Sequence, residues 1–115
     1  MIPRPDTELI VEETLKHLPI NKSKKILDVG TGSGCIVVSL IKERPKCSAT
    51  AIDISRKALN VAKTNAKLHQ VENKIKFINI DIDKYKSSNY DLILSLIHIS
   101  EPTRQEAISY AVFCL

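Results

Sequence analysis

The sequence predicts an α/β fold, an incomplete parallel sheet of about four strands flanked by helices. Short apolar runs alternate with amphipathic stretches of about 12 to 14 residues, a length that links parallel strands through right-handed crossovers. A glycine-rich turn, Gly30-Thr31-Gly32-Ser33-Gly34, stands where the first strand gives way to a helix. No repeat or low-complexity segment interrupts the alternation. With 115 residues, the chain has room for one such domain.

The elements follow in order. Residues 6–18 read as a helix, with Leu9, Ile10, Leu15 and Leu18 apolar, acids early, and Lys16 and His17 late, as the helix dipole prefers. Pro3, Pro5 and Pro19 mark its ends. Residues 25–29 form a short buried strand. Residues 33–44 form a helix with Ile36, Val37, Leu40 and Ile41 on one face, stopped by Pro45. Residues 48–52 are a second strand. Residues 55–68 are a helix with Ser55 as N-cap and a stripe of Ala58, Leu59, Ala62 and Ala66. Residues 74–80 make a third strand, and a fourth begins at Tyr90.

Composition narrows the class. Hydrophobic residues make up 43% of the chain, enough to build a packed core rather than a disordered segment. No apolar run approaches the roughly 18 residues of a membrane span, and no secretory leader opens the chain. Cys35, Cys47 and Cys114 are odd in number and widely spaced, which fits a reducing, cytoplasmic setting and neither a disulfide framework nor a metal site. Cys35 reads as a core residue of its helix. His17 and His69 read as helix C-terminal groups. The net charge of +4 is carried by scattered lysines with no stripe of interleaved aromatics, so no direct nucleic-acid contact is expected.

The chemistry gathers at the carboxyl ends of the strands, where open α/β sheets bind ligands. Glycines at 30, 32 and 34 permit positive φ and close backbone approach, and the following helix start offers N–H groups to an anionic group. The dinucleotide fingerprint G-x-G-x-x-G is not met, because Cys35 holds the place of the last glycine. Asp28 precedes the turn, and a carboxylate there suits a ligand bearing an ammonium better than a pyrophosphate. S-adenosylmethionine has that ammonium and a sulfonium. Asp53 ends the second strand, placed to accept from a ribose diol. Asp81 ends the third, placed to accept an adenine amino group, with Ile82 available to pack on the ring. The expected cofactor site is Asp28, Gly30, Thr31, Gly32, Ser33, Gly34, Asp53, Asp81 and Ile82.

The spacing D-x-G-x-G-x-G resembles the first motif of Rossmann-like class I methyltransferases. A narrower resemblance adds to it. Ile2-Pro3-Arg4-Pro5-Asp6-Thr7-Glu8, then Ile26 through Gly34, Glu43-Arg44-Pro45, Ala51-Ile52-Asp53-Ile54-Ser55, Ala58-Leu59 and Tyr90-Asp91-Leu92-Ile93 are similar to the release-factor glutamine methyltransferases, the HemK family. The resemblance covers residues 1 to about 93. It implies S-adenosylmethionine as cofactor and methylation of the side-chain amide of the GGQ glutamine of peptide chain release factors, a step in translation termination. The same pattern leaves open a base N-methyltransferase acting on ribosomal or transfer RNA and, more distantly, an NAD-binding oxidoreductase domain.

The family's N-P-P-Y substrate motif is expected after Ser95. The chain instead reads Leu96-Ile97-His98-Ile99-Ser100-Glu101-Pro102-Thr103-Arg104, and N-P-P-Y occurs nowhere in it. Residues 94–104 and 108–115 resemble the translation of a transposase-type sequencing adapter, with residues 105–107 in the place of its variable index. The expected division is a partial cofactor-binding domain over residues 1–93 and an adapter-derived tail over residues 94–115. His98, Glu101 and Cys114 are therefore discounted as chemistry, no catalytic residue is assigned, and transfer by this chain is not expected. The apolar stretch 95–99 can adopt a strand without bearing on function.

Overall fold

The computed structural model describes residues 4–86, 89–99 and 107–114, with side chains described over 8–86 and 89–95. Helix α1 (Arg4–Leu15) leads into β1 (Lys25–Val29), α2 (Cys35–Glu43), β2 (Ser48–Asp53), α3 (Arg56–Leu68), β3 (Ile75–Asn79), β4 (Leu92–Ile99) and β5 (Ala107–Cys114). The sheet order is β3-β2-β1-β4-β5. The first four strands pair in parallel, as the crossover lengths require, with Asp28 level with Ala51 and with Leu94. A fifth strand, unforeseen in the sequence, runs antiparallel to β4. Antiparallel pairing needs no crossover helix, so the short connection after Ile99 suffices. Residues 100–106, which include Glu101 and Arg104, and the side chains of His98 and Cys114 lie outside the described set.

The chain steps from β1 to β2 to β3 in one direction, then returns to place β4 on the other flank of β1. The two right-handed crossovers through α2 and α3 therefore lie on the same face. They enclose a core of Ile26, Ile36, Val37, Leu40, Ile41, Ala49, Ala51, Ile75, Leu92 and Leu94. The helices thus flank the sheet on this face. Among its described residues the connection from β3 to β4 holds a 3-10 turn, Ile82–Lys84, and no helix that would cover the second face.

Several boundaries and faces differ from expectation. Helix α1 begins at Arg4, because a proline is tolerated in a helix's first turn, where its missing N–H is not needed. It ends at Leu15, and His17 and Leu18 close a tighter turn onto the carbonyls of Thr14 and Leu15. Lys16 and His17 thus lie past the helix end. Leu9 is exposed, and Thr14 takes a core position because its hydroxyl is satisfied by the carbonyl of Ile10 at 2.7 Å. Cys35 is exposed at the first position of α2, whereas Cys47 is buried. The cysteine at 35 is therefore not a core residue: the apolar face of α2 starts at Ile36. Helix α3 keeps the predicted N-cap, with Ser55 Oγ accepting from the Ala58 N–H at 3.1 Å. Leu59, Ala62 and Ala66 are buried. His69 caps the carboxyl end of α3, as its position suggested.

Candidate functional site

The topology puts the glycine turn at the one place where the sheet reverses direction. Beyond the carboxyl end of β1, the connections on its two sides run opposite ways, leaving a crevice between β1 and β4. The turn between β1 and α2 lines that crevice, and the ends of β2 and β3 extend the rim.

Much of the turn's hydrogen bonding is internal. Gly30 and Thr31 donate their N–H groups to the carbonyl of Ile52 at 2.9 and 3.1 Å, and Gly34 donates to the carbonyl of Thr31 at 2.9 Å. Gly32 donates to Asp53 Oδ2 at 2.9 Å, while Asp53 Oδ1 accepts from the Ser55 N–H at 2.9 Å. One carboxylate therefore clamps the turn after β1 to the start of α3. Each of its oxygens has one bond in this clamp and retains acceptor capacity for a diol. The residue expected to bind ribose is also the residue that shapes the loop.

Two glycines are required for different reasons. Gly34 has φ +76°, and a Cβ there would stand 2.9 Å from Ala62 Cβ and 3.2 Å from Ala62 Cα. It allows α2 to start against α3. Gly32 has φ +59°, and a Cβ there would meet nothing within 4 Å. The space above Gly32 is open for a ligand, the arrangement expected of a cradle that receives a bound group.

Asp28 is wholly buried beneath the turn, and neither carboxylate oxygen has a hydrogen-bond partner; the Thr31 hydroxyl beside it is likewise buried without one. Burial in a low-dielectric surrounding pushes the carboxyl up to about 7. The nearby Thr31 hydroxyl, short of hydrogen-bonding geometry, partly offsets this, and the negative charge of Asp53 adds to it. Leaving such groups unpaired costs about 1–3 kcal/mol each, and more if charged. A cation or donor brought to this spot would relieve that cost. The orphaned carboxylate therefore fits an ammonium-bearing ligand.

Asp81 lies two residues past β3, exposed, and its Oδ1 accepts from the Asp83 N–H at 3.0 Å, capping the 3-10 turn. Ile82 follows it, 42% exposed. The structure also brings in residues that the sequence did not single out. Ile54, directly after Asp53, is 75% exposed, an apolar side chain on the same rim. Asn79 Nδ2 donates to the carbonyls of Asp53 and Ile54, both at 3.0 Å, fixing the end of β2 against β3. Asn65 Nδ2 donates to the carbonyl of Ser33 at 2.8 Å, holding the turn from α3. An apolar residue beside a strand-end acid was the available signal for Ile54. The two asparagines left none, because their partners are backbone carbonyls distant in sequence.

A parallel sheet with a glycine turn at its reversal point and acids at successive strand ends defines a Rossmann-like nucleotide-cofactor domain. The family model described as methyltransferase small domain matches residues 7–108, and the chain belongs to that family. The resemblance to release-factor glutamine methyltransferases is borne out by curated relatives of that name. One from Flavobacterium psychrophilum is 48% identical over 100 residues, and one from Aquifex aeolicus is 35% identical over 96. Each alignment covers 83% of this chain and 34% of the relative, so the chain spans about a third of their length. Among solved structures, an RNA methyltransferase from Salinibacter ruber in complex with S-adenosyl-L-homocysteine superposes with a TM-score of 0.70 at 15% identity, covering 99% of this chain and 92% of that one. A methyltransferase from Geobacter sulfurreducens, also with S-adenosyl-L-homocysteine, gives 0.67 at 18% identity, covering 89% and 52%. At such identities the likeness establishes the fold.

Proposed function

We propose that the chain is the cofactor-binding part of a release-factor glutamine methyltransferase, with S-adenosylmethionine as its cofactor. The observation that carries this reading is the match to relatives of that name across a segment containing the whole turn from Asp28 to Gly34. The buried, unpartnered carboxylate of Asp28 supports a ligand with a positive amino group rather than a pyrophosphate. Asp28 and the turn of Gly30, Thr31, Gly32, Ser33 and Gly34 would hold the amino-acid portion. The spare lone pairs of Asp53 would hold the ribose hydroxyls, Asp81 the adenine amino group, and Ile82 with Ile54 the faces of the ring. Bound there, the cofactor supplies an electrophilic methyl on sulfur. The residues named position it and exclude water; proximity and alignment with the acceptor amide provide much of the rate enhancement.

The acceptor side of the reaction is assigned to the N-P-P-Y motif of the family, which the 115 residues lack. Residues 94–115 are read as adapter-derived, on the two stretches that match such a translation. The proposal is therefore a cytoplasmic parent enzyme that methylates release factors, and a chain that binds cofactor without transferring methyl. Sequencing the coding DNA past Ile93 tests the tail. Calorimetry with S-adenosylmethionine and with NADH tests the cofactor: NADH binding without S-adenosylmethionine binding overturns the reading. Incubation with labelled cofactor and a release factor tests inactivity, which methylation of the GGQ glutamine by this chain would refute. Restoring the native sequence after Ile93 and offering release factor and ribosomal RNA separates the protein substrate from the RNA alternative.

A further inference from the structure

At the opposite ends of the strands lies a second feature that the cofactor site does not use. An open cavity of about 550 Å³ is bordered by Lys25, Ser48, Thr50, Lys74, Lys76, Tyr85 and Tyr90 among others. Lys25, Ser48 and Ile75 are the first residues of β1, β2 and β3. A five-residue strand rises roughly 15 Å, which separates Lys25 at the start of β1 from the glycine turn by about that distance. The sequence scatters these lysines; the parallel register collects them, because it aligns the starts of three strands.

The lining has a consistent chemistry. Lys25, Lys74 and Lys76 are exposed, and the only ion pair among the described residues is Glu13–Lys16, on another element. Lys25 Nζ stands 5.9 Å from the centre of the Tyr90 ring, and the Tyr85 and Tyr90 hydroxyls are 2.6 Å apart. Lys74 Nζ donates to the Pro45 carbonyl at 2.6 Å, a bond that orients the ammonium without neutralising it. Lys24 and Lys46 adjoin β1 and β2 at the same end of the sheet. Asp91, which accepts the Lys25 N–H at 2.8 Å, and Glu72 are the acids nearest in sequence to the lining residues. Positive charge exceeds negative there.

We propose that this cavity is an exosite for the phosphodiester backbone of single-stranded RNA. Charge complementarity requires an anion. The cations lining the cavity are lysines, point charges that pair with phosphate oxygens along a backbone. The Ser48 and Thr50 hydroxyls beside the lysines add donors to phosphate and sugar. The cavity opens broadly to solvent, as an extended polymer needs. The site stands apart from the methyl-transfer reading and does not depend on it.

The test is titration of a labelled single-stranded RNA of about twelve nucleotides into the 115-residue chain at several salt concentrations. Saturable binding is expected, with affinity falling as salt rises by about 0.7 logarithmic units per decade for each phosphate contacted. The double variant Lys25→Gln/Lys76→Gln should bind about tenfold more weakly, with the salt slope reduced by about 1.4. The charge-matched double variant Lys57→Gln/Lys63→Gln on α3 should bind as the parent does. Protection of lysines from acetylation in the unaltered chain gives a second readout that no folding defect can disturb. Bound RNA should protect Lys25, Lys74 and Lys76 more than Lys57, Lys63 and Lys67. No binding of RNA, equal weakening by the two double variants, equal protection of both lysine groups, or tighter binding of poly-glutamate than of RNA would overturn the proposal. Full competition by millimolar inorganic phosphate would also overturn it, reducing the site to a small-anion pocket.

Discussion

The contact between Gly34 and Ala62 permits a sharp test of how the glycine turn is built. In Gly34→Ala the backbone stays in the left-handed region at φ +76°, which costs about 1–2 kcal/mol for a residue with a Cβ. The new methyl would also sit 2.9 Å from Ala62 Cβ and 3.2 Å from Ala62 Cα. Neither atom belongs to a flexible side-chain end, so the start of α2 must move away from α3. Overpacking of this kind costs about 1–3 kcal/mol. The sum, about 2–5 kcal/mol, is a large share of the 5–15 kcal/mol typical of a domain. Gly32→Ala shares only the backbone penalty and should cost about 1–2 kcal/mol, while placing a methyl in the open space above the turn. Urea unfolding should therefore rank Gly34→Ala well below Gly32→Ala. Adding Ala62→Gly to Gly34→Ala should recover part of the loss beyond additivity, although glycine inside α3 itself costs about 1 kcal/mol. Equal midpoints for the two glycine variants, or strict additivity with Ala62→Gly, would refute the packing argument.

Other outcomes follow from the same geometry. Asp53→Asn keeps one acceptor but turns an amide toward one of the N–H groups of Gly32 and Ser55; it should cost about 1–3 kcal/mol and weaken cofactor binding, checked by melting and calorimetry. Asp28 binds a proton more tightly in the folded chain, with its carboxyl raised from 3.8 to about 7. Between those values the native state holds more protons than the unfolded state, so this group's contribution to stability falls as pH rises from about 4 to 7 and levels off above. Urea midpoints across that range should show the decline, and Asp28→Asn should flatten it. A cofactor ammonium favours the ionised form, so affinity should strengthen as pH rises through 7. Gln70 closes α3 with φ +59°, the Val71 and Gln70 N–H groups bonding the carbonyls of Ala66 and Lys67 at 2.9 and 3.0 Å. Gln70→Gly should therefore stabilise the chain by about 1 kcal/mol in the same assay.

The local signals in the sequence carried far. Short apolar runs and helical periodicity located four parallel strands and three helices, because burial demands those spacings wherever the elements lie. Ser55 was legible as an N-cap since capping is settled within a few residues. Asp28, the glycines and Asp53 were legible because a strand–turn–helix junction imposes its chemistry over one short stretch. Faces were less secure. Leu9 and Cys35 are exposed, while Thr14 is buried, because hydropathy does not show which side of a helix meets its neighbour.

The sequence by itself determined the strand–turn–helix unit from Lys25 to Glu43, the acids that flank it, and their suitability for a nucleotide-like cofactor. Tertiary structure alone decided that β4 returns beside β1, which makes the turn a crevice, and that Asp53 clamps Gly32. It also decided that Asn65 and Asn79 hold the rim, that Asp28 is left buried and unpaired, and that lysines far apart in sequence share one cavity. The physical reason is range. Propensity, capping and periodicity act over one or two turns of chain, whereas a crevice, a desolvated carboxylate or a pooled charge exists only after distant segments are packed together.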